Sequence, residues 1–121
     1  MGYPIYSRIF VAIFICKEAI KVTRGTTPTF ICTFPDSVDF TEAENVYFTI
    51  TQDGTSVTKT GDDLEIEAHT VSVFLTQLET LKFMAGTVKM QLNWTYSGGL
   101  RAASEIVTRA NKDNLLPEVL K

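Results

Sequence analysis

The chain has 121 residues, of which 45% are apolar and 21% are charged, and its formal net charge is −3. This size and composition suit one globular domain with one hydrophobic core. The acidic balance and the scattered basic residues argue against a nucleic-acid binder, which gathers Lys and Arg on one face, and against a polybasic membrane anchor.

The first 19 residues differ in character from the rest. An unbroken apolar run, Ile9–Cys16, follows Arg8 and is too short to cross a bilayer as a helix. We favour a translated leader that is not native, because Lys17–Ala19 can be encoded by a purine-rich ribosome-binding sequence just before a start near Val22. The alternatives are an extra edge strand or helix, and a signal peptide, for which no A-x-A-like cleavage site follows.

The two cysteines, Cys16 and Cys32, lie in separate apolar runs. Two thiols without clustered partners predict neither a disulfide framework nor a metal site. Because unpaired cysteine is among the most buried residue types, we expect two buried thiols in a reducing compartment.

Period-two alternation begins near residue 20 and predicts strands. A short alternating run covers Ile20–Arg24, and a longer one covers Thr29–Phe34, which Pro35–Ser37 ends because proline cannot donate to a β-ladder. After a connection at Val38–Glu44, the clearest strand in the chain follows at Asn45–Gln52.

Two hairpins are predicted next. Asp53-Gly54 separates the preceding strand from the β-branched run Thr55–Thr60, and Asp-Gly between two such runs is the strongest short-range hairpin signal. Leu64–Glu67 and Val71–Leu75 form the second predicted hairpin, which turns at Ala68–Thr70.

One internal helical turn is predicted near residues 77–83. Thr76 and Glu79 have the spacing of a capping box, in which the side chain of each residue accepts a hydrogen bond from the backbone amide of the other. Ala85-Gly86 is expected to stop the helix. The predicted apolar side of this turn consists of Leu78, Leu81 and Phe83.

A long final hairpin completes the predicted domain. Thr87–Tyr96 alternates with Trp94 on its apolar face, Ser97–Gly99 is the turn, and Leu100–Ala110 returns as the last strand. Asn93-Trp94-Thr95 matches a glycosylation triplet, but it lies within a predicted strand.

The tail, residues 111–121, changes pattern again. Leu115, Leu116, Val119 and Leu120 recur at helical spacing with Pro117 near the start of the turn, which predicts a short C-terminal helix. So short a helix is marginal alone and needs a surface. We expect these four side chains to form a protein-interaction element that covers either their own domain or another subunit.

Strands with regularly spaced turns predict an all-β fold, an antiparallel β-sandwich of about seven or eight strands with Ig-like or jelly-roll-like architecture. The predicted organisation is an apolar segment at 1–19, a β-sandwich domain at 20–110 and an apolar tail at 111–121. The predicted inward residues are Phe30, Cys32, Phe34, Val46, Phe48, Ile50, Ile66, Val71, Val73, Leu75, Leu92 and Trp94.

No catalytic constellation is apparent in the sequence. His69 is the sole histidine, so Ser–His or Cys–His catalysis would have to use it. It lacks neighbours at metal-ligand spacing, and we expect a solvated turn residue. No Gly-x-Ser-x-Gly elbow and no phosphate-binding loop occur. We therefore predict a protein that is not an enzyme and holds no cofactor.

The acidic residues also have simpler interpretations than a site. Asp53, Asp62 and Asp63 lack the alternating spacing of a calcium loop and suit turns. Glu65 and Glu67 share a strand face, as a glycosidase pair can, but they more often keep an edge strand charged against aggregation.

Several motifs together resemble a known group of proteins. They are the opening run Val22–Phe30, the segment Val38–Thr41, the helical segment Leu75–Phe83, the pair Ala85-Gly86, and Arg101–Ile106. Residues 20–110 resemble small proteins encoded in phages and prophages of Firmicutes, and they are similar to the N-terminal β-domain of upper baseplate proteins of lactococcal phages. Members of that group begin almost directly at the Val-Thr-Arg-Gly segment, which agrees with a misplaced start here.

The resemblance implies a virion structural or assembly protein associated with the tail or baseplate. It implies partners among phage structural proteins or a second copy of the chain, and a location in the bacterial cytoplasm during assembly and then in the virion. It carries over no catalytic residues. From the charge of the chain we expect neither a nucleic-acid nor a membrane partner. The alternative function is a carbohydrate- or surface-binding β-sandwich, whose candidate aromatic side chains are Tyr47, Trp94 and Tyr96.

Overall fold

The computed structural model describes residues 15–16 and 21–120. Within these ranges the chain forms ten β-strands, one α-helix and three short 3-10 helices. The strands are β1 (Ile15–Cys16), β2 (Lys21–Thr23), β3 (Thr29–Thr33), β4 (Asn45–Gln52), β5 (Thr55–Thr60), β6 (Leu64–Ile66), β7 (Thr70–Phe74), β8 (Gly86–Thr95), β9 (Arg101–Ala103) and β10 (Val107–Lys112). The helix α1 is Gln77–Leu81, and the 3-10 helices are Phe40–Glu42, Gly61–Asp63 and Ser97–Gly99.

The strands form two sheets that pack as a β-sandwich, as predicted. The smaller sheet has the order β1-β3-β7-β6, and the larger has the order β2-β10-β8-β4-β5, with β9 also paired to β8. All pairs are antiparallel except β2 with β10, which run parallel. The central strand β8 has β4 on one side and both β9 and β10 on the other.

Aromatic side chains join the two sheets across the core. Phe30 of the smaller sheet lies 6.2 Å from Phe48 of the larger sheet, measured between ring centroids. Phe34 meets Trp94 edge-to-face at 5.6 Å, and Phe40 packs on Phe34 at 4.9 Å and on Trp94 at 5.1 Å. Such edge-to-face contacts are favoured by the ring quadrupoles. Phe40 comes from the 38–44 connection, which therefore contributes to the core as well as linking strands.

The predicted inward residues are buried with one exception. Ile66 is 39% exposed, because it ends the three-residue strand β6 at the edge of the smaller sheet. The core also contains residues that were not in the predicted set: Val22, Val38, Phe40, Val57, Leu64, Phe83, Val88, Met90, Tyr96 and Ala102.

The hairpin between β4 and β5 turns at Asp53-Gly54, as predicted. Both residues have positive φ, 45° for Asp53 and 89° for Gly54, and the flanking pair is Gln52 with Thr55. Positive φ at both central positions matches the twist of the adjoining strands and explains why Asp-Gly occurs here.

The last predicted strand, Leu100–Ala110, is divided into two. β9 pairs with the C-terminal part of β8, and β10 pairs with its N-terminal part. Between them Ser104 turns inward, where its amide donates to Leu92 O and its Oγ accepts from Leu92 N at 3.0 Å. The last strand also extends to Lys112, two residues beyond the predicted end of the domain.

The capping box at the helix is confirmed. Glu79 N donates to Thr76 Oγ1 at 3.2 Å, and Thr76 N donates to Glu79 Oε1 at 2.9 Å. The predicted apolar side of this turn is wrong for Leu78, which is exposed. The helix instead buries Thr80, whose hydroxyl accepts from Gly25 N and donates to Thr26 O.

The C-terminal helix predicted from residues 115–120 is absent from the described chain, which has no helix after residue 99. Local side-chain bonds stabilise a different path: Asn114 N donates to Asp113 Oδ1, and Leu116 N donates to Asn114 Oδ1. Pro117 supplies no amide hydrogen, and so few residues gain little from helix formation. The helical spacing of the leucines was therefore misleading.

The N-terminal interpretations lie almost entirely outside the described residues. Only the two-residue strand β1 is described, and its register places Cys16 opposite Cys32. The prediction that Cys32 is buried is confirmed. Nothing in the sequence indicated that the two cysteines are neighbours. The antiparallel pairing of β1 with β3 places their backbone positions directly opposite each other.

Candidate functional site

The tail after β10 is held against its own domain by polar contacts of its backbone and short side chains. Asn114 Nδ2 donates to Arg24 O at 2.9 Å, and Arg24 Nη1 lies 3.4 Å from Asp113 Oδ1. These contacts fix the start of the tail over the turn that follows β2.

Gln77, at the start of α1, holds the other end of the tail. Its Oε1 accepts from Leu120 N at 2.6 Å, and its Nε2 donates to Leu120 O at 3.0 Å. One amide side chain thus satisfies both backbone groups of one tail residue, as a strand neighbour would. The tail is therefore ordered in cis.

The apolar side chains of the tail remain exposed despite this support. We define the tail patch as Leu115, Leu116, Val119 and Leu120, which are the predicted interaction residues. Their exposed fractions run from 44% for Val119 to 104% for Leu115. Leu78, next to Gln77 in the chain, is also exposed. An ordered backbone that displays several apolar side chains together is typical of a contact surface for another protein.

The second candidate site is a groove on the outer face of the larger sheet, lined mainly by residues of polar type. This outer-face groove is open, has a volume of about 400 Å³ and is lined by Tyr47, Thr49, Thr58, Asn93, Thr95 and Arg101. Four of these residues lie on β4 and β8, where alternation sends their side chains outward while Phe48, Leu92 and Trp94 enter the core. Thr58 comes from β5 and Arg101 from β9.

Within the groove, Arg101 is held in place by Asn93. Its Nη2 and Nε donate to Asn93 Oδ1 at 3.0 and 3.3 Å. Asn93 is the direct cross-strand neighbour of Tyr47, so ring, amide and guanidinium adjoin. Thr49 Oγ1 and Thr58 Oγ1 lie 3.1 Å apart on the adjoining pair of strands.

Of the three aromatic side chains considered for surface binding, the structure leaves Tyr47 accessible. Trp94 and Tyr96 are buried, and Trp94 Nε1 donates to Tyr96 OH at 3.0 Å. Tyr47 is 36% exposed. The sequence correctly placed Trp94 inward, and it missed that Tyr96 follows it into the core.

A charged pair that the sequence did not indicate links the helix to the larger sheet. Lys59 Nζ of β5 lies 2.8 and 2.9 Å from the two carboxylate oxygens of Glu79. Partial burial raises the pKa of Glu79, but hydrogen bonds from Lys59 and the Thr76 amide, with the positive charge of Lys59, outweigh it. They hold the pKa of Glu79 below its usual value of 4.5. This pair stabilises the fold and is not placed over either candidate site.

His69 is more than a solvated turn residue. Its Nδ1 lies 2.7 Å from Val38 O, and because a carbonyl only accepts, Nδ1 carries the proton and donates. Its Nε2 lies 3.8 Å from Asp36 Oδ1. The histidine thus fastens the 36–39 segment to the turn between β6 and β7, which corrects the prediction of a purely solvated side chain.

Two absences hold for the part of the chain that the structure describes. No group of three or more His, Cys, Asp or Glu side chains there is placed to hold a metal ion. No helix in the same residues has the length and apolar character to cross a bilayer.

Comparison with known proteins supports the fold. No protein-family model matches the chain, and no curated protein matches it. Among solved structures, the chain is similar to a point mutant of the SrpA adhesin of Streptococcus sanguinis, with a TM-score of 0.50 and 10% sequence identity. The match covers 88% of this chain and 61% of the adhesin chain. At this identity the likeness concerns the arrangement of strands.

Proposed function

We propose that this protein is a structural or assembly module that is not an enzyme and acts through protein–protein contacts, with the tail patch as its docking element. The observation that carries the proposal is that Gln77 bonds the tail backbone and Arg24 contacts the side chain of Asp113, while the four apolar side chains of the tail remain exposed. Because the tail is already ordered, a partner that covers the patch gains apolar burial without a large ordering cost.

The resemblance of residues 20–110 to phage and prophage proteins supports a more specific form of this proposal. In that form, the partner is a tail or baseplate protein or a second copy of this chain, and the protein works in the bacterial cytoplasm during assembly and afterwards in the virion. The β-sandwich then serves as a rigid support that presents the tail patch.

The proposal is tested by replacing all four tail-patch residues with serine in the full-length protein. Size-exclusion chromatography with light scattering measures self-association, and biolayer interferometry measures binding to the products of neighbouring genes. We expect the serine variant to lose at least roughly hundredfold in affinity for whichever partner the native protein binds, about 2.7 kcal/mol.

A matched control removes the same number of exposed apolar side chains elsewhere and should leave the affinity unchanged. The proposal is wrong if the native chain neither self-associates nor binds a neighbouring gene product, or if the tail variant binds as well as the control. The control substitutions are Ile31→Ser, Phe74→Ser, Met84→Ser and Ile106→Ser, all at exposed positions.

A second candidate function is a carbohydrate- or surface-binding module. The observation that favours it is the outer-face groove, where an exposed tyrosine ring adjoins a fixed guanidinium. This function would use a surface lined by polar residue types, whereas the tail patch consists of apolar side chains. Because the two surfaces share no residue, mutations can separate the two functions.

A further inference from the structure

We propose that the outer-face groove binds an acidic sugar, a pyranose that carries a carboxylate, with Tyr47 and Arg101 as its main contacts. The inference rests on the second candidate function and names its ligand class. The groove is positively charged, because none of its six lining residues is acidic and Arg101 provides a full positive charge. The chain as a whole is negative.

Arg101 keeps hydrogen-bonding capacity for a ligand. Its two bonds to Asn93 Oδ1 use one hydrogen of Nε and one of Nη2, and a guanidinium has five N–H groups. Among the described residues, the basic side chains within 4.0 Å of a carboxylate are Arg24, Lys59 and His69, and Arg101 is not one of them. The remaining donors form a planar fork that matches a carboxylate, and their orientation is fixed in advance by Asn93.

The rest of the groove suits a sugar ring rather than a bare anion. A pyranose has an apolar face of C–H groups, which can pack on the exposed ring of Tyr47. Its hydroxyls both donate and accept, as do the hydroxyls of Thr49, Thr58 and Thr95, which line the same groove. The outer face of a twisted sheet is shallow, so a single sugar should bind weakly, and repeated units would raise the avidity.

The test is an NMR titration of the ¹⁵N-labelled full-length protein with three probes. D-galacturonate has both ring and carboxylate, D-galactose has the ring alone, and acetate has the carboxylate alone. We expect galacturonate to perturb the amides around Tyr47, Asn93 and Arg101, and to bind roughly tenfold more tightly than either of the other probes, since each lacks one of the two contacts.

Two variants and two matched controls complete the experiment. Arg101→Gln and Tyr47→Thr should each weaken galacturonate binding roughly tenfold. Lys112→Gln removes one positive charge from another exposed position, and Phe74→Thr removes an exposed ring from the other sheet; both should bind as the native protein does.

Three results would overturn the inference. Equal binding of galactose at Tyr47 would retain the carbohydrate function but refute the acidic ligand. Equal binding of acetate would reduce the groove to a carboxylate site, such as one for a peptide terminus. No perturbation by any probe would remove both the inference and the second candidate function, while leaving protein docking by the tail patch unaffected.

Discussion

At the scale of single residues, Glu79 connects local and tertiary structure. Its carboxylate accepts a hydrogen bond from the Thr76 amide and so closes the first turn of α1. The same carboxylate forms an ion pair with Lys59 of β5. The capping role was predictable, because it depends on residues three apart. The ion pair was not, because 20 residues separate its partners and only the folded sandwich brings them together.

The Glu79→Gln substitution should make this contribution measurable. Glutamine can keep the cap bond but removes the charge, leaving Lys59 without its partner. The folded pKa of Glu79 lies below its unfolded value, so the carboxylate stabilises the fold above about pH 4.5, and this stabilisation is lost as the pH falls through the folded pKa. We expect a loss of about 1–2 kcal/mol near neutral pH.

Urea unfolding of both proteins at about pH 7 and about pH 3 measures this effect. The difference in the free energy of unfolding between native protein and variant should shrink at the lower pH. Glu65→Gln, at an exposed position of the edge strand β6, controls for the removal of one negative charge. A difference that is the same at both pH values would contradict the assignment.

At the scale of elements, the β4–β5 hairpin depends on its two turn residues. Gly54 has φ of 89° and nothing lies within 4 Å of a Cβ placed on it, so a substitution there meets backbone strain and no steric clash. We expect Gly54→Ala to lower the free energy of unfolding by about 1–2 kcal/mol, the cost of a left-handed conformation for an L-residue.

The matched change for this turn is Asp53→Asn, which should be nearly neutral because asparagine tolerates the left-handed region as well as aspartate does. Urea unfolding of both variants measures their free energies of unfolding relative to the native protein. If the alanine variant were as stable as the asparagine variant, the strained turn would not determine hairpin stability.

The elements also show which features the sequence could predict. Strands such as Asn45–Gln52 and the Asp-Gly turn are determined by neighbours in the chain, so periodicity and turn chemistry were sufficient to find them. The burial of Thr80 in place of Leu78 and the contact between Gln77 and Leu120 depend on segments that are distant in the chain, which no local pattern encodes. The outer-face groove was indicated only by Tyr47, because its partner Arg101 arrives through the pairing of β8 with β9.

At the scale of the whole molecule, one core holds both sheets, and its described members lie between Val22 and Ala102. Outside that range, β10 completes the larger sheet, and Asp113 and Asn114 fasten the chain to Arg24. The described part of the first 20 residues adds only the two-residue strand β1. We therefore predict that residues 20–114 fold as an independent domain.

A shortened protein with these bounds should unfold cooperatively in urea, with a free energy of unfolding within about 1 kcal/mol of the full chain. This tolerance allows for the loss of the two exposed Gln77 bonds to Leu120, because hydrogen bonds in contact with water contribute little net stability. Restoring residues 115–121 or residues 1–19 separately would locate any larger loss. If only the form with residues 1–19 folded, the N-terminal segment would be an integral part of the sandwich, and residues 20–114 would not be an independent domain.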